Sequence, residues 1–498
     1  MPHARVLIML DVSPSVPRLP KARLPDALTS LLLGSLVALT LPPLPTGALS
    51  AVALAALLWH VARGRDTRQV TIRMFWGAAG LSAVHLWWLS AFLGHIFGTP
   101  VLGILALALF ALEGSFYAIM ANIAARLAGP RVLARVWMLA GGWVVLEALR
   151  FLGPFAFPWP TLGYSLLSTP MIQIADLGGV LLASVLVTAT AAALVTFWHG
   201  AEKPLWVMAA LWVAALAYGV TRTPAEGLTR QAIVERSTVD VFSKASEGKS
   251  AQDFFNEYTR PVKEMNRPAG VPIILPETAL LDPQLLSQVP GPGVYGVGGG
   301  FTERANRATG WNGQQITAQS DKARPVPFGE YFPLQQELAP AWRIIESGLG
   351  FQLPPNLPPA SSVRPLPIDG VNYGTYVCYD SVFPWVARQL TNKGANVLVN
   401  ISNDGWYAGW GVEQHFMMGR VRAIENRRWV LRSVNEGIAG SIDDLGRPRR
   451  TLSRGEGALQ VTFKELEGQT VYHRLGDLPA LVAAGLMLAM GLAYRRND

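Results

Sequence analysis

Three side chains able to carry out acyl chemistry stand beside apolar, strand-length runs or a compact loop. Val271-Pro272-Ile273-Ile274-Leu275 closes on Pro276-Glu277, Tyr373 to Val377 leads into Cys378, and Lys322 precedes the segment from Pro325 to Tyr331. Strand ends in α/β sheets are where ligands and reacting groups collect. A free thiol has a pKa of ~8.5 and needs a base or a cation beside it to act as a nucleophile at neutral pH. Glu277 and Lys322 are one of each. Cys378 is the sole cysteine of the chain, which excludes an intrachain disulfide. Its place at the strand-to-helix transition Val377-Cys378-Tyr379-Asp380 suits an exposed nucleophile; a structural cysteine in a buried strand is the alternative. No CxxC, Cys/His cluster or HExxH is present, so no metal is expected. Gly298-Gly-Gly300 lacks the following Lys-Ser/Thr of a phosphate loop.

The elements that must hold these groups lie between residues 222 and 477. Ala395 to Ile401 reads as a buried strand closed by Ser402-Asn403-Asp404-Gly405, residues 383–393 and 412–428 have helical character, and Trp429 to Val434 is strand-like. Such alternation predicts an α/β core whose sheet faces are covered by helices.

The rest of the 498-residue chain is different in kind. Half of all residues are apolar, 15% are charged and the mean hydropathy is +0.27, against roughly 25% charge in soluble domains. That excludes disorder and argues against a wholly soluble enzyme. Runs near the ~20 residues that a bilayer requires fall at 25–43, 46–63, 74–96, 100–126, 134–151, 171–197, 203–221 and 478–494, eight in all. Arg5, Arg18, Lys21 and Arg23 precede the first, Arg63 to Arg73 follow the second, Arg126 to Arg135 the fourth, Lys203 the sixth, and Arg495 and Arg496 the last. The loops at 42–45, 97–100 and 152–170 carry no Lys or Arg. This alternation predicts a cytoplasmic N-terminus and an outer domain at 222–477. The chain then divides into a membrane domain at 1–221, the outer domain, and a last span with its tail at 478–498. The net charge of +8 is spread between apolar stretches, so no nucleic-acid partner is expected.

Leu-Pro-Glu277-Thr-Ala, Lys322 with Val-Pro-Phe-Gly-Glu330-Tyr, Cys378-Tyr-Asp with Phe383-Pro384, and Asn403-Asp-Gly-Trp406-Tyr followed by Glu413-Gln414-His415 together resemble the nitrilase (carbon–nitrogen hydrolase) superfamily. With the eight-span frame, Phe157-Pro-Trp159 and Gly163-Tyr164-Ser, the chain is similar to the membrane-embedded acyltransferase branch of it. The resemblance implies a helical membrane bundle of eight spans plus an αββα sandwich domain. It implies a triad of Glu277 (general base), Lys322 (oxyanion stabiliser) and Cys378 (nucleophile), supported by Glu330, Tyr379 and Asp380; relatives usually carry Glu where this chain has Asp380. The implied reaction moves an acyl chain from a membrane phospholipid, through a cysteine thioester, to the α-amine of a lipoprotein's diacylglyceryl-cysteine. It takes place at the outer face of the bacterial inner membrane, by a monomer, with no cofactor. A membrane-tethered amidase and an inactive lipid-binding member are the alternatives.

For the substrates, Trp406, Tyr407, Trp410, Phe416, Met417 and Met418 read either as core packing or as a mobile arm against acyl chains, where Trp and Tyr suit an interface. Trp406, Trp410 and Trp159 are the expected substrate-binding or lid residues. Trp87 and Trp88 read as packing or belt residues. Glu113 in a span reads as part of a lipid cavity or as one half of a polar pair. Glu147 and Arg150 are spaced for an i,i+3 ion pair.

Overall fold

The computed structural model describes residues 24–96, 100–239, 248–298, 306–327, 329–349 and 356–496. Arg5, Arg18, Lys21 and Arg23, most of the loop at 97–100, Gly299-Gly300 and Phe328 lie outside them.

Five helices are long and apolar enough to cross a membrane: Pro100–Ala128, Val132–Leu149, Pro170–Trp198, Lys203–Val220 and Leu478–Arg496. Two shorter apolar helices, Pro25–Ala38 and Gly47–Ala62, pack with them. The run at 74–96 is not one helix. Thr67–His85 ends, the chain turns through Leu86 to Trp88, and Leu89–Ile96 begins again. Hydropathy is continuous across this break, but Gln414 from the other domain donates to the carbonyl of His85 at 3.0 Å and accepts from the Trp88 indole at 3.0 Å. A carbonyl freed at a helix end needs such a partner, and here helix Trp410–Asn426 supplies it. At the opposite end of the bundle the basic loops converge. Arg135 donates to the carbonyls of Ala62 and Gly129, and Arg495 to that of Leu127.

The rest of the chain winds around one twelve-stranded sheet: β1 (Leu228–Ser237), β2 (Ile273–Ile274), β3 (Gly293–Val297), β4 (Arg307–Trp311), β5 (Ile316–Asp321), β6 (Leu366–Ile368), β7 (Val371–Val377), β8 (Val397–Asn403), β9 (Val430–Asn435), β10 (Ala439–Ile442), β11 (Pro448–Leu452) and β12 (Gly457–Glu465). The order β5-β4-β3-β2-β1-β9-β8-β7-β6 curls until β5 and β6 lie side by side. Its centre, β3-β2-β1-β9-β8-β7, is parallel, and parallel strands need cover on both faces. Along β1, Ala232 and Val234 point into a core shared by the two halves of the curled sheet, while Ile233 points the other way, onto helix Ala251–Glu264 with Phe255 and Tyr258. Helices Pro384–Asn392 and Trp410–Asn426 cover β7 to β9 on the remaining face and pack in turn against the membrane helices. Parallel strands running one way deliver their C-terminal ends to one place, and that place is where the reactive side chains meet.

Candidate active site

Glu277 follows β2, Asn403 ends β8 and Lys322 follows β5. The curl of the sheet closes them into a buried cluster. The Lys322 ammonium lies 3.0 Å from Glu277 Oε1 and 2.8 Å from Glu330 Oε1. Glu277 Oε2 accepts from the Asn403 N–H at 2.9 Å, and Glu330 Oε2 from the Val326 N–H at 2.7 Å. Burial works against the charge on Lys322, but Glu277 and Glu330 outweigh it and hold its pKa well above the usual lysine range. Lys322 is therefore an ammonium and cannot serve as the base.

Cys378 begins the short helix Cys378–Val382 directly after β7. Its φ is +49°, a left-handed conformation that non-glycine residues rarely adopt and that marks stored strain at working sites. The thiol is not exposed as the sequence suggests: the residue is 2% accessible, with Sγ 4.0 Å from the Asn403 carbonyl. Burial pushes the thiol pKa up, Glu277 pushes it further and Lys322 pulls it down, for a net rise. The resting group is a thiol, so nucleophilic attack requires a base. Asp380 accepts from the N–H groups of Val377, Ala323 and Arg324 at 3.1, 3.2 and 2.7 Å. This ties the cysteine turn to the chain that carries Lys322, shorter side chain notwithstanding. Burial lifts its pKa to about 7 against the pull of Lys322 and those N–H groups.

Cys378 lines a cavity of about 440 Å³ between the apolar helices and the sheet domain. Phe92, Leu109 and Phe116 line it from the bundle, Trp159, Trp406 and Tyr407 from the loops. Tyr379 also lines it and donates to the Ala156 carbonyl at 3.0 Å, fixing the loop at 155–159 to the cysteine turn. Trp159 is buried, with its indole N–H held by Gln414 at 2.6 Å. Trp88 belongs to this wall too, 5.0 Å from Trp159 between ring centres. Trp410 does not. It begins helix Trp410–Asn426 and packs on Trp87, while Phe416 and Met418 lie in the core, so the aromatic run is not one arm. Glu113 is both cavity lining and half of a pair, but its partner is Arg150, at 2.6 Å. The Glu147–Arg150 pair does not form. Glu147 accepts from Trp143 and from the Leu162 N–H, whereas Arg150 also donates to the Phe157 carbonyl at 2.6 Å and so braces the cavity loop.

Sequence reasoning missed Asn306, whose Nδ2 lies 2.5 Å from Glu277 Oε1 and 3.1 Å from Glu330 Oε1. An isolated Asn ahead of a strand gives no signal by itself. It also gave Asn403 and Gln414 no role, although both stand in motifs that were legible.

A curled α/β sheet carries a Cys, a Glu and a Lys at its strand ends and packs on apolar helices, the arrangement with which the family comparisons agree. The carbon–nitrogen hydrolase profile matches residues 342–466, and that of the apolipoprotein N-acyltransferase N-terminal domain matches residues 33–193. Curated relatives named apolipoprotein N-acyltransferase include those of Pseudomonas aeruginosa (strain LESB58), 28% identical, and Azotobacter vinelandii, 29% identical; each match covers 95% of this chain and 96% of the relative. The solved carbon–nitrogen hydrolase from Helicobacter pylori G27 overlaps 54% of this chain and 96% of its own, at 14% identity and a TM-score of 0.33. Over 95% of its length the chain is thus similar to apolipoprotein N-acyltransferases.

Proposed function

We infer that the protein completes lipoprotein maturation by moving an acyl chain from a membrane phospholipid, through a thioester on Cys378, to the α-amine of an apolipoprotein's N-terminal diacylglyceryl-cysteine. The observation that carries this reading is the 440 Å³ apolar cavity that ends on the sulfur. A hydrolase of small amides has no use for such a space, whereas an acyl chain fills it.

Glu277 takes the Cys378 proton as the sulfur attacks the ester carbonyl, and Lys322 with a backbone N–H steadies the oxyanion, each donor worth about 3 kcal/mol. The C–O bond breaks, Glu277 returns the proton to the leaving oxygen, and lysophospholipid departs. In the second half the free amine attacks the thioester, Glu277 takes the amine's proton, and the C–S bond breaks as the sulfur regains a proton. Glu330 holds Lys322, while Asp380 and Tyr379 hold the cysteine turn. Trp159 and Trp406 shape the acyl chamber.

The chain is organised as a membrane domain at 1–221, an αββα catalytic domain at 222–477 and a C-terminal span at 478–498, with eight spans in all. The basic loops gathered at one end of the bundle favour that end as cytoplasmic, with the catalytic domain outside the bacterial inner membrane and both lipid substrates reaching a monomer by lateral diffusion. The test uses detergent-solubilised protein and an alkyne-tagged phospholipid. A hydroxylamine-sensitive adduct is expected on the wild type and none on Cys378→Ala; adding a diacylglyceryl peptide moves the label to the peptide. Release of free fatty acid in place of labelled peptide would make the protein a hydrolase, and no adduct at all would end the reading.

A further inference from the structure

The sulfur and the base open on different spaces. Among the described residues Cys378 lines the apolar cavity and Glu277 does not. Glu277 lines a second cavity of about 310 Å³, which Cys378 does not reach. Trp406 stands in the wall of both. The second space is less apolar than the first. It holds Glu277, Glu330 and Asn306, with Leu281 and Phe254 on its apolar side.

Its charge is unbalanced. Among the described residues two carboxylates there share one cation, Lys322, an excess of negative charge that favours a positive guest. Asn306 is 7% exposed and spends both donor contacts on the carboxylates, yet its Oδ1 has no hydrogen-bond partner among the described residues. A buried acceptor left unpaired is costly, and an N–H-bearing guest would satisfy it.

Taking the acyl-transfer reading as given, we propose that this cavity docks the acceptor's α-ammonium end, with Asn306 Oδ1 as its hydrogen-bond acceptor and Glu277 as the group that removes its proton. The donor's acyl chain and the acceptor's amine then approach the thioester from opposite sides of Trp406. Docked as an ammonium, the acceptor gives one proton to Glu277 to become a nucleophile; Glu277 passes that proton to the sulfur as the C–S bond breaks, then takes the second proton from nitrogen and releases it to solvent.

An ammonium could also come from an ethanolamine head group on the donor, so the test uses both ethanolamine-headed and glycerol-headed phospholipids. In full-length protein in nanodiscs, Leu281→Trp is expected to raise the KM for a diacylglyceryl-cysteine peptide at least tenfold. Thioester formation should change less than threefold with either donor. A loss of thioester formation confined to the ethanolamine-headed donor would assign the cavity to the donor's head group and overturn the proposal; so would an unchanged peptide KM. A second measurement does not depend on turnover. In a Leu281→Cys, Cys378→Ala protein, the peptide should slow maleimide labelling of the introduced thiol at least fivefold and phospholipid should not. Thioester formation by the wild type with no such protection would sink this proposal alone, while absence of the thioester would sink the reading beneath it.

Discussion

Two buried charge clusters lie on either side of Cys378, built from the same kinds of residue and finished differently. In one, Glu277 and Glu330 share Lys322 and Asn306 beside a cavity. In the other, Asp404 accepts from Ser402 at 2.6 Å and from Arg432 at 2.5 Å, and meets His415 Nδ1 at 2.9 Å. His415 Nε2 in turn meets Ser381 Oγ at 2.6 Å and the Cys378 carbonyl at 3.2 Å. Burial opposes the charge on Asp404, but Arg432 and His415 hold its carboxyl well below the usual range; burial pushes His415 down, so it stands neutral. Ser381, His415 and Asp404 are in the order of a serine-hydrolase triad, yet none lines either cavity at the cysteine. The difference teaches what separates a brace from a catalyst. Asp404 lines neither cavity, and its network grips the strained cysteine turn. Glu277 also has a partner on each oxygen, but its cluster opens on a cavity, where a guest can meet it.

Neutralising one carboxylate in each cluster has opposite consequences. Glu277→Gln removes the base and should slow thioester formation about 10²–10⁴-fold, with a melting temperature close to that of the wild type. Asp404→Asn leaves Arg432 buried without its ion partner, a change that typically costs about 3–5 kcal/mol. Its melting temperature should fall sharply, while the protein that remains folded transfers acyl chains within tenfold of the wild-type rate. Thermal unfolding in detergent and single-turnover acylation separate the two. A stable but dead Asp404→Asn protein would make the second cluster catalytic.

Inside the bundle the same logic gives a smaller effect. Glu113→Gln leaves Arg150 without its 2.6 Å partner but with the Phe157 carbonyl and Tyr117 still in reach. The loop at 155–159 loosens, and thioester formation should fall about tenfold, chiefly through the KM for phospholipid. A kcat loss with unchanged KM would place Glu113 outside the acyl chamber's support.

The parts of this arrangement that were legible share a property. Glu277, Lys322, Glu330 and Cys378 each sit in a short segment whose local pattern announces a strand end or a turn. Partners chosen across space were not legible. Spacing along one helix pairs Arg150 with Glu147, but the side chain reaches Glu113 on the neighbouring helix. Asn306 joins the cluster because the Lys322 N–H bonds to its carbonyl at 2.8 Å, a link between strands that no window of sequence contains. The aromatic run after Trp406 reads as a single feature until the helix starting at Trp410 turns its members to different faces. The apparent span at 74–96 is broken by Gln414, more than three hundred residues away.

The smallest effect concerns the thiol itself and sharpens the comparison at the sulfur. The Cys378 pKa is raised by burial and by Glu277, with Lys322 opposing. At a given neutral pH the thiolate fraction is therefore below that of a free cysteine, and it keeps growing beyond the pH at which an ordinary thiol of pKa ~8.5 has finished ionising. Alkylation of the donor-free enzyme by a small uncharged reagent should rise steadily from pH 7 to 9.5 without levelling off. The sign also fixes the effect of Glu277→Gln. Removing the negative charge lowers the thiol pKa, so alkylation at pH 8 should increase a few-fold in the variant whose acyl transfer has collapsed. Opposite movements of reactivity and turnover are expected only if Glu277 suppresses the resting thiolate and moves the proton during attack. A plateau near pH 8.5 in the wild type, or slower alkylation in the variant, would mean that Lys322 governs the sulfur and that the thiolate exists before substrate arrives.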